Sequence, residues 1–475
     1  MSENTSVPYS LVRFKRFFFN LLRNKKSAAG LTLLSIFVFI AVAGPLLTPY
    51  TPLGSVVSAQ LNPPSWIVYF TGPLGWSQNA EFTGIKASSI TGATLTTTSI
   101  GGDSASFSAA SGASGGTVEV QKFVTWTYPG PAKRFVTSLS ITPGPTILGQ
   151  TVIATVYLDR FVGGVRDARW NIFDKTIDSN STFEVNLDSI SGDLRVRLGL
   201  STSNIDPAQL IFSRQADYAY ALELTLPPSA NIDFSLQNFK LQIRGSTWGW
   251  LGTDQAGHDI LTQLIYGARL SLIVGLLATF IGVGLGLVVG LIAGYLGRIV
   301  DEVLMRFTDM MLVIPGLPLL IVLVNVLGPS LTNIILVLGF LGWMGFARVV
   351  RSQVLSLRER PFIEAAKASG AGTGYITLRH ILPNVVSLTY VNLALSVPAA
   401  IVGEAALSFL GLGDQTSVTW GRMLELARES GGSATNLFWW WVIPPGIGIA
   451  LVSLSFILIG FSLDELFNPR LRRRR

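Results

Sequence analysis

The chain has 475 residues, of which 49% are hydrophobic and only 13% are charged, with a net charge of +7 and a mean hydropathy of +0.48. Soluble globular proteins carry about 25% charged residues, so this composition excludes a disordered or collagen-like chain and argues against a water-soluble enzyme. The sequence has no cysteine and two histidines, His258 and His380. A disulfide framework and a thiolate metal site are therefore excluded, and we expect no metal site.

Six segments of the chain are apolar over a length close to the roughly 20 residues that a membrane-crossing helix needs. One stands alone near the N-terminus and five are clustered after residue 267: residues 28–47, then 268–296, 303–327, 331–350, 385–401 and 439–460. The first segment could instead be the apolar part of a signal peptide, because Ala41, Val42 and Ala43 resemble a cleavage site. The long polar region before it and the apolar run up to Leu47 favour a retained first transmembrane helix.

The basic residues indicate the orientation of these spans, because Lys and Arg concentrate in cytoplasmic loops next to membrane helices. They cluster before the first span, in residues 298–306, in residues 348–379 and in the tail 470–475. We therefore expect a multi-pass cell-membrane protein with both termini cytoplasmic, a cytoplasmic segment 1–27, and residues 51–267 extracellular. The tail is expected to lie near anionic membrane lipid. No clustered basic face of a soluble module is found, so nucleic acid is not an expected partner.

Residues 66–247 carry a different pattern, which predicts an extracellular β-rich domain. Residues 87–116 are rich in Ser, Thr and Gly and are expected to be loop-like. After them, seven short segments alternate apolar and polar residues and predict strands of an antiparallel sandwich: residues 117–128, 135–141, 150–158, 181–187, 194–200, 220–226 and 239–245.

The function of this domain stays open at the level of sequence. It could be a structural cap, a docking platform for an external binding protein, or a sugar-binding module, although no Trp and Asp cluster favours sugar. Asn180 begins an Asn-Ser-Thr sequence and is a possible glycosylation site.

Two patterns inside the spans predict how the helices pack. Four glycines of the second span recur every four residues, so they share one helix face and would let a neighbouring backbone approach closely: Gly282, Gly286, Gly290 and Gly294. Pro315 and Pro318 in the third span, and Pro444 and Pro445 in the sixth, are expected to kink or break their helices.

The chain lacks the groups that would power transport by itself. No Gly-Lys dipeptide occurs, so no P-loop for ATP is present. The interiors of the spans carry almost no acids that could relay protons. Asp309 is the exception, and we expect it to pair with Arg306.

The cytoplasmic loop 358–383 is the most informative segment, with the sequence RERPFIEAAKASGAGTGYITLRHILP. Pro361 suits the first position of a helix and Gly370 suits the residue just past its end. The loop therefore predicts a helix over residues 362–369. Such a helix could dock a soluble partner or lie on the membrane surface, and the residues alone favour neither.

This loop resembles the EAA signature of permease subunits of ATP-binding-cassette importers, which is Glu-Ala-Ala, three residues, Gly, then Ile-x-Leu-Pro. One departure from the signature is present, because His380 stands where the signature has Ile and the isoleucine follows at Ile381. The local form RHILPN is similar to the dipeptide, oligopeptide and nickel transport branch. Further stretches of the chain resemble the second, C-type permease of that branch: residues 251–272, 342–360, 403–413, 419–424 and 468–472.

The resemblance covers about residues 12–65 and 248–475, and it implies an all-α six-span transmembrane permease of the type I importer kind. The extracellular β-sandwich-like domain is then an insertion before the permease core of residues 248–475. The resemblance also implies which residues couple this chain to an ATPase: Glu364, Ala365, Ala366, Gly370, Ile381, Leu382 and Pro383.

The implied partners are a second permease subunit forming a heterodimer, two cytoplasmic ATPase subunits and an extracellular substrate-binding protein. No cofactor is expected on this chain, because ATP and magnesium would be bound by the ATPase subunits. The cargo would be peptides or oligosaccharides, moved by alternating access, and no substrate-binding residue is identified.

Two other functions remain compatible with the residues. One is a membrane-anchored surface protein whose β domain is the functional part. The other is a carrier or channel that works without ATP.

Overall fold

A computed structural model describes residues 21–73, 75–201, 205–431 and 438–467. The chain forms two compact units, a membrane unit of Met1–Ser55 with Ile260–Arg475 and a β unit of Val56–Asp259. The predicted tail 470–475 and most of the predicted segment 1–27 lie outside the described residues. The β unit extends beyond the predicted bounds of 66–247 at both ends.

The described part of the membrane unit is helical. Its helices, in chain order, are α1 Lys25–Leu47, α2 Ile260–Leu296, α3 Arg298–Val313, α4 Gly316–Leu327, α5 Leu331–Leu341, α6 Met344–Arg358, α7 Pro361–Ala368, α8 Thr373–Ile376, α9 Leu382–Leu407, α10 Trp420–Glu429 and α11 Trp439–Phe467. Five stretches of the described residues are long and apolar enough to cross a membrane: Lys25–Leu47, Ile260–Leu296, Leu331–Arg358, Thr373–Leu412 and Trp439–Phe467.

The predicted span 303–327 is a bent pair of helices, α3 and α4, which meet at 91°. The break lies at Ile314, which is extended with φ −70° and ψ 127°. A residue before proline is disfavoured in the α region, and Pro315 follows directly. The described residues reach six spans only if this bent pair counts as one. The break expected at Pro315 is present.

The two prolines of the last span behave differently. Helix α11 runs without interruption through Pro444 and Pro445, so no break occurs there. Helix α9 also differs from its prediction, because it continues past residue 401 to Leu407 and is followed by a π-helical turn, Ser408–Leu412. Glu404, which falls between the predicted spans 385–401 and 439–460, therefore lies inside a helix.

The β unit contains two antiparallel sheets. Its strands are β1 Ala80–Glu81, β2 Thr83–Thr91, β3 Ala93–Ile100, β4 Ala105–Ser111, β5 Gly116–Trp126, β6 Arg134–Pro143, β7 Val152–Val162, β8 Val165–Ile177, β9 Phe183–Asp188, β10 Ala216–Leu226 and β11 Asn231–Arg244. One sheet has the order β3-β4-β11-β6-β9 with β1 on β11, and the other has the order β2-β5-β10-β7-β8. Both contribute to one buried cluster, in which Tyr218, Tyr220 and Leu222 of β10 are fully buried.

Three expectations about the β unit are corrected by these strands. Residues 87–116, expected to be loop-like, contain most of β2 and all of β3 and β4. Residues 194–200, expected to be a strand, begin inside a short helix, Gly192–Arg197, whose Asp193 and Arg197 suit the helix dipole. Strand β8 was not expected, because its alternation is interrupted by charged residues.

Candidate functional site

Helix α7 is built by local signals at both of its ends. Pro361 is its first residue, and the N–H groups of Ile363 and Glu364 donate to the Arg360 carbonyl oxygen at 2.9 and 3.2 Å. At the other end Gly370 has a φ of +81°, which glycine adopts without strain. Its N–H donates to the Lys367 carbonyl oxygen at 3.0 Å. The predicted helix 362–369 is therefore present, one residue earlier.

The bond that follows completes a Schellman motif, the arrangement in which two amides past the helix end satisfy its last carbonyl groups. The Ala371 N–H donates to the Ala366 carbonyl oxygen at 3.1 Å. A Cβ added to Gly370 would meet no atom within 4 Å. The requirement for glycine at this position is therefore conformational and does not come from crowding.

One face of α7 is seated on the membrane unit. Ile363 is 0% exposed and Ala366 is half-buried, whereas Glu364, Ala365 and Lys367 are exposed. Ile363 belongs to a buried cluster drawn from several helices: Val283, Leu291, Phe346, Val350, Val354, Ile376, Ile381 and Val385. A movement of α7 would therefore be transmitted to α2, α6 and α9, because interiors this closely packed transmit displacement.

Ile381 reaches this cluster through a π-helical turn, Thr377–Ile381. A π turn closes its hydrogen bonds over one more residue than an α turn does. The isoleucine that is displaced by one residue relative to the EAA signature is buried at the end of this turn. His380 is half-buried, and its ring centroid lies 5.7 Å from that of Tyr375 and 6.5 Å from that of Phe362.

The seven residues assigned to coupling do not form one surface. Glu364, Ala365, Gly370 and Pro383 are exposed, Ala366 and Leu382 are half-buried, and Ile381 is fully buried. Some of these positions therefore present a surface while the others hold it in place.

Exposed apolar side chains surround α7, and no sequence pattern predicted them. Phe362 is 45% exposed, and Tyr375 and Leu378 are more exposed still. We call Phe362, Glu364, Ala365, Tyr375 and Leu378 the α7 surface. Helical spacing gave no signal for this exposure, because Phe362 precedes the half-buried Ala366 by four residues and would be expected to share its face. Large exposed apolar side chains grouped in this way mark an interaction surface.

The four in-register glycines of α2 lie against α5 and α6. A Cβ on Gly286 would come within 2.7 Å of the Trp343 carbonyl oxygen, and one on Gly290 within 2.6 Å of the Ala347 carbonyl oxygen. A Cβ on Gly282 would lie 3.1 Å from the Gly339 carbonyl oxygen, and one on Gly294 would lie 2.7 Å from the Cβ of Val354. This contact fixes α6, and α6 supplies part of the seat of α7.

Ion pairs connect the bent pair to α6. Asp301 of α3 pairs with Arg351, and Asp309 pairs with Arg348. The expected partner of Asp309, Arg306, lies one turn away on the same helix, but the salt bridge observed reaches across to α6.

Glu404 is a buried carboxylate near the end of α9. Its Oε1 accepts hydrogen bonds from Ser408 Oγ at 2.8 Å and Thr419 Oγ1 at 2.6 Å. Thr419 also caps α10, because its hydroxyl accepts from the Arg422 N–H at 3.1 Å. Glu404 therefore joins the end of α9 to the start of α10, across a turn in which Gly411 has a φ of +88°.

The described residues hold no group of three or more His, Asp or Glu side chains that could bind a metal ion. His258 Nδ1 lies 2.9 Å from Asp254 Oδ2 in the β unit, and His380 lies in the membrane unit. Asn180 is exposed in the turn between β8 and β9, where its glycosylation stays a prediction.

Two cavities open within the membrane unit. The larger, about 860 Å³, is lined almost wholly by apolar side chains of α1, α2, α9 and α11. The smaller, about 280 Å³, includes Thr279 and Ser396, and the buried Thr279 hydroxyl has no hydrogen-bond partner among the described residues. Neither cavity identifies a cargo.

Comparison with protein families gives two matches. Residues 286–473 match the family described as binding-protein-dependent transport system inner membrane component. Residues 13–64 match the N-terminal TM domain of oligopeptide transport permease C. These two matches leave out residues 65–285, which include the whole of both β-sheets.

Curated relatives agree with these matches. The dipeptide transport system permease protein DppC of Alkalihalophilus pseudofirmus is 44% identical over 224 residues, which are 47% of this chain and 72% of the relative. The glutathione transport system permease protein GsiD of Shigella flexneri is 40% identical over 47% of this chain and 73% of its own length. Among solved structures, an inward-facing MetNI methionine ABC transporter is similar, with 19% identity over 44% of this chain and 97% of that chain and a TM-score of 0.36.

Proposed function

The chain belongs to the family of binding-protein-dependent transport system inner membrane components, in its dipeptide and oligopeptide permease branch, and from this premise we propose that it moves peptides across the cell membrane by alternating access. The observation that carries the mechanism is α7, a short helix with one face seated on α2, α6 and α9 and the other face exposed. A helix held in this way transmits a push from a soluble partner to the spans behind it.

We propose that the partner is one of two cytoplasmic ATPase subunits, and that a second permease subunit of similar fold completes the path. The α7 surface, with Phe362, Tyr375 and Leu378, would fill a groove on the ATPase. Closure of the ATPases on ATP would then displace α7 and tilt the helices that share its seat. ATP and magnesium would be bound by the ATPases, and this chain would need no cofactor of its own.

Peptides are the proposed cargo. Support comes from the names of the relatives, which describe dipeptide, oligopeptide and glutathione transport, and none of these names describes oligosaccharide transport. An extracellular binding protein would deliver the cargo. Identifying the compounds that the binding protein of the purified complex retains tests this, and retained oligosaccharide in place of peptide would contradict it.

The proposed orientation places α7 and both termini in the cytoplasm and residues 51–267 outside. It is supported by the basic residues beside the ends of the spans. Because the chain has no cysteine, single substitutions test it directly. A membrane-impermeant maleimide applied to intact cells should label Val165→Cys and leave Ala368→Cys unlabelled, and the opposite pattern would reverse the orientation.

Coupling is tested with charge and backbone variants of the α7 loop in the purified complex. Glu364→Lys reverses the charge of the exposed face, and Gly370→Val forces a β-branched residue into a left-handed conformation that costs about 1–2 kcal/mol. Both should abolish substrate-stimulated ATP hydrolysis while the chain still inserts into the membrane.

Two controls make the same chemical changes without the predicted damage. Glu429→Lys reverses an exposed charge at the end of α10, and Gly370→Asn introduces a residue that tolerates positive φ; both should retain at least half of the stimulated rate. Normal stimulation in Glu364→Lys and Gly370→Val would show that α7 does not couple the ATPase. Failure of any ATPase to copurify with the unaltered chain would favour a surface protein that works through its β unit.

A further inference from the structure

Two segments at the ends of the β unit are held together by backbone hydrogen bonds. The Ser65 N–H donates to the Gly249 carbonyl oxygen at 2.9 Å, and the Trp248 N–H donates to the Pro63 carbonyl oxygen at 3.0 Å. Thr253, which is fully buried, donates its N–H to the Asn62 carbonyl oxygen at 2.9 Å. These bonds join residues 62–65, which precede the two sheets in the chain, to residues 248–253, which follow them. We call the two joined segments the platform.

This platform presents a group of aromatic side chains that we call the aromatic patch, Trp66, Tyr69, Phe70 and Trp250. Tyr69 and Trp250 are largely exposed, and Phe70 is 81% exposed. Trp66 stacks edge-on against Phe70 with ring centroids 5.9 Å apart, and its Nε1–H donates to the Trp250 carbonyl oxygen at 2.8 Å. These two contacts hold Trp66 against Phe70 and against the backbone of Trp250.

The stretches of sequence that contain the patch residues have no charged side chain. No Asp, Glu, Lys or Arg occurs between Lys26 and Glu81, and none occurs between Arg244 and Asp254. Burying an ion in a membrane is costly, whereas Trp and Tyr concentrate where lipid headgroups meet the acyl chains, because each ring has an apolar body and a polar atom.

The length of the chain limits how far the patch can lie from the membrane-spanning helices. Trp250 precedes Ile260, the first residue of the membrane-spanning helix α2, by about ten residues, which reach at most about 35 Å even when fully extended. Ser65 follows the end of α1 at Leu47 by under 20 residues. A protein partner would be free to bind anywhere on the β unit, but lipid lies within reach of this end because the chain enters the membrane on both sides of it.

We propose that the aromatic patch inserts into the headgroup region of the bilayer and anchors the β unit on the membrane surface. The occupant is phospholipid, and the depth is the boundary between headgroups and acyl chains. This proposal does not depend on which cargo is carried or on how α7 couples to an ATPase.

The absence of cysteine makes a direct test possible on the full chain. Phe70→Cys and Val165→Cys each introduce one thiol at an exposed apolar position, 81% and 71% exposed in the native chain. Each variant is labelled with a small fluorophore and reconstituted into phosphatidylcholine vesicles that contain a lipid with a nitroxide near the top of its acyl chain. Quenching by this lipid and by aqueous iodide is then measured for both labels.

The label at position 70 should be quenched by the nitroxide lipid at least threefold more than the label at position 165, and iodide should show the reverse order. Equal lipid quenching at the two positions, with iodide reaching both, would overturn the proposal. Protection of position 70 from iodide without quenching by lipid would also overturn it, because a protein surface would then cover the patch.

Discussion

Ile363 is the residue on which the seating of α7 depends most. It is 0% exposed, and of the other side chains of this eight-residue helix only Ala366 is even half-buried. Replacing a buried isoleucine by alanine costs about 2–5 kcal/mol. The lower end applies here, because the seat lies near the surface and its neighbours can partly close the space. Ile363→Ala should therefore weaken the docking of α7 by about 2 kcal/mol.

Hydrogen exchange measures this docking, since amides in α7 exchange when the helix opens locally. A loss of about 2 kcal/mol corresponds to roughly 30-fold faster exchange. The increase in exchange rate cannot exceed the factor that corresponds to the free energy of opening α7 in the unaltered chain. The amides to follow are those of residues 363–371, and mass spectrometry of the corresponding peptide gives their rate.

Phe362→Ala is the matched control, because it removes a larger side chain from the exposed face of the same helix. A surface substitution of this kind changes stability by less than about 0.5 kcal/mol, so exchange should rise by less than about threefold. Similar exchange rates in Ile363→Ala and the unaltered chain would refute the assignment of Ile363 as the anchor. Faster exchange in Phe362→Ala than in Ile363→Ala would invert the two faces.

Three further predictions concern other contacts. Gly290→Ala places a Cβ 2.6 Å from a carbonyl oxygen and should lower the melting temperature by several degrees, whereas Gly284→Ala, which meets no atom within 4 Å, should not. Glu404→Gln keeps an acceptor for its two hydroxyl donors and should melt close to the unaltered chain; Glu404→Leu leaves both hydroxyls unsatisfied, at about 1–3 kcal/mol each, and equal melting of the two variants would show that these bonds contribute nothing. Burial lowers the pKa of Lys133 to about 8, while a hydrogen bond to Asp103 raises the pKa of Lys240. Acylation of Lys133 should therefore level off above pH 9 while that of Lys240 still climbs, as read by peptide mass spectrometry. Because the unfolded chain holds the Lys133 proton up to about pH 10.4, this group should also make the β unit more stable as pH rises from 8 to 10.

Local chemistry made α7 predictable from the sequence. Pro361 and Gly370 act through the backbone at their own positions, so the start and end of the helix could be read without any partner. Ile314 is a similar case, since the break between α3 and α4 follows from the proline after it. The direction in which α7 faces could not be read in the same way, because it depends on a cluster drawn from α2, α6 and α9.

The Ser- and Thr-rich strands could not be predicted from local sequence. Residues 83–111 carry little apolar alternation, and their composition is typical of loops as much as of strands. β3 pairs with β4 and β4 pairs with β11, so these strands are stabilised by a partner more than 100 residues further along the chain. No local pattern records such a pairing.

The sequence by itself determined that this chain crosses a membrane and which family it resembles, because long apolar runs and short motifs are properties of neighbouring residues. Tertiary structure alone decided that Glu404 joins α9 to α10, that Asp309 pairs with Arg348, and that Trp66 bonds to the backbone of Trp250. Each of these brings together groups that are distant in sequence. Their energies depend on distance and burial in space, and only the folded chain sets those.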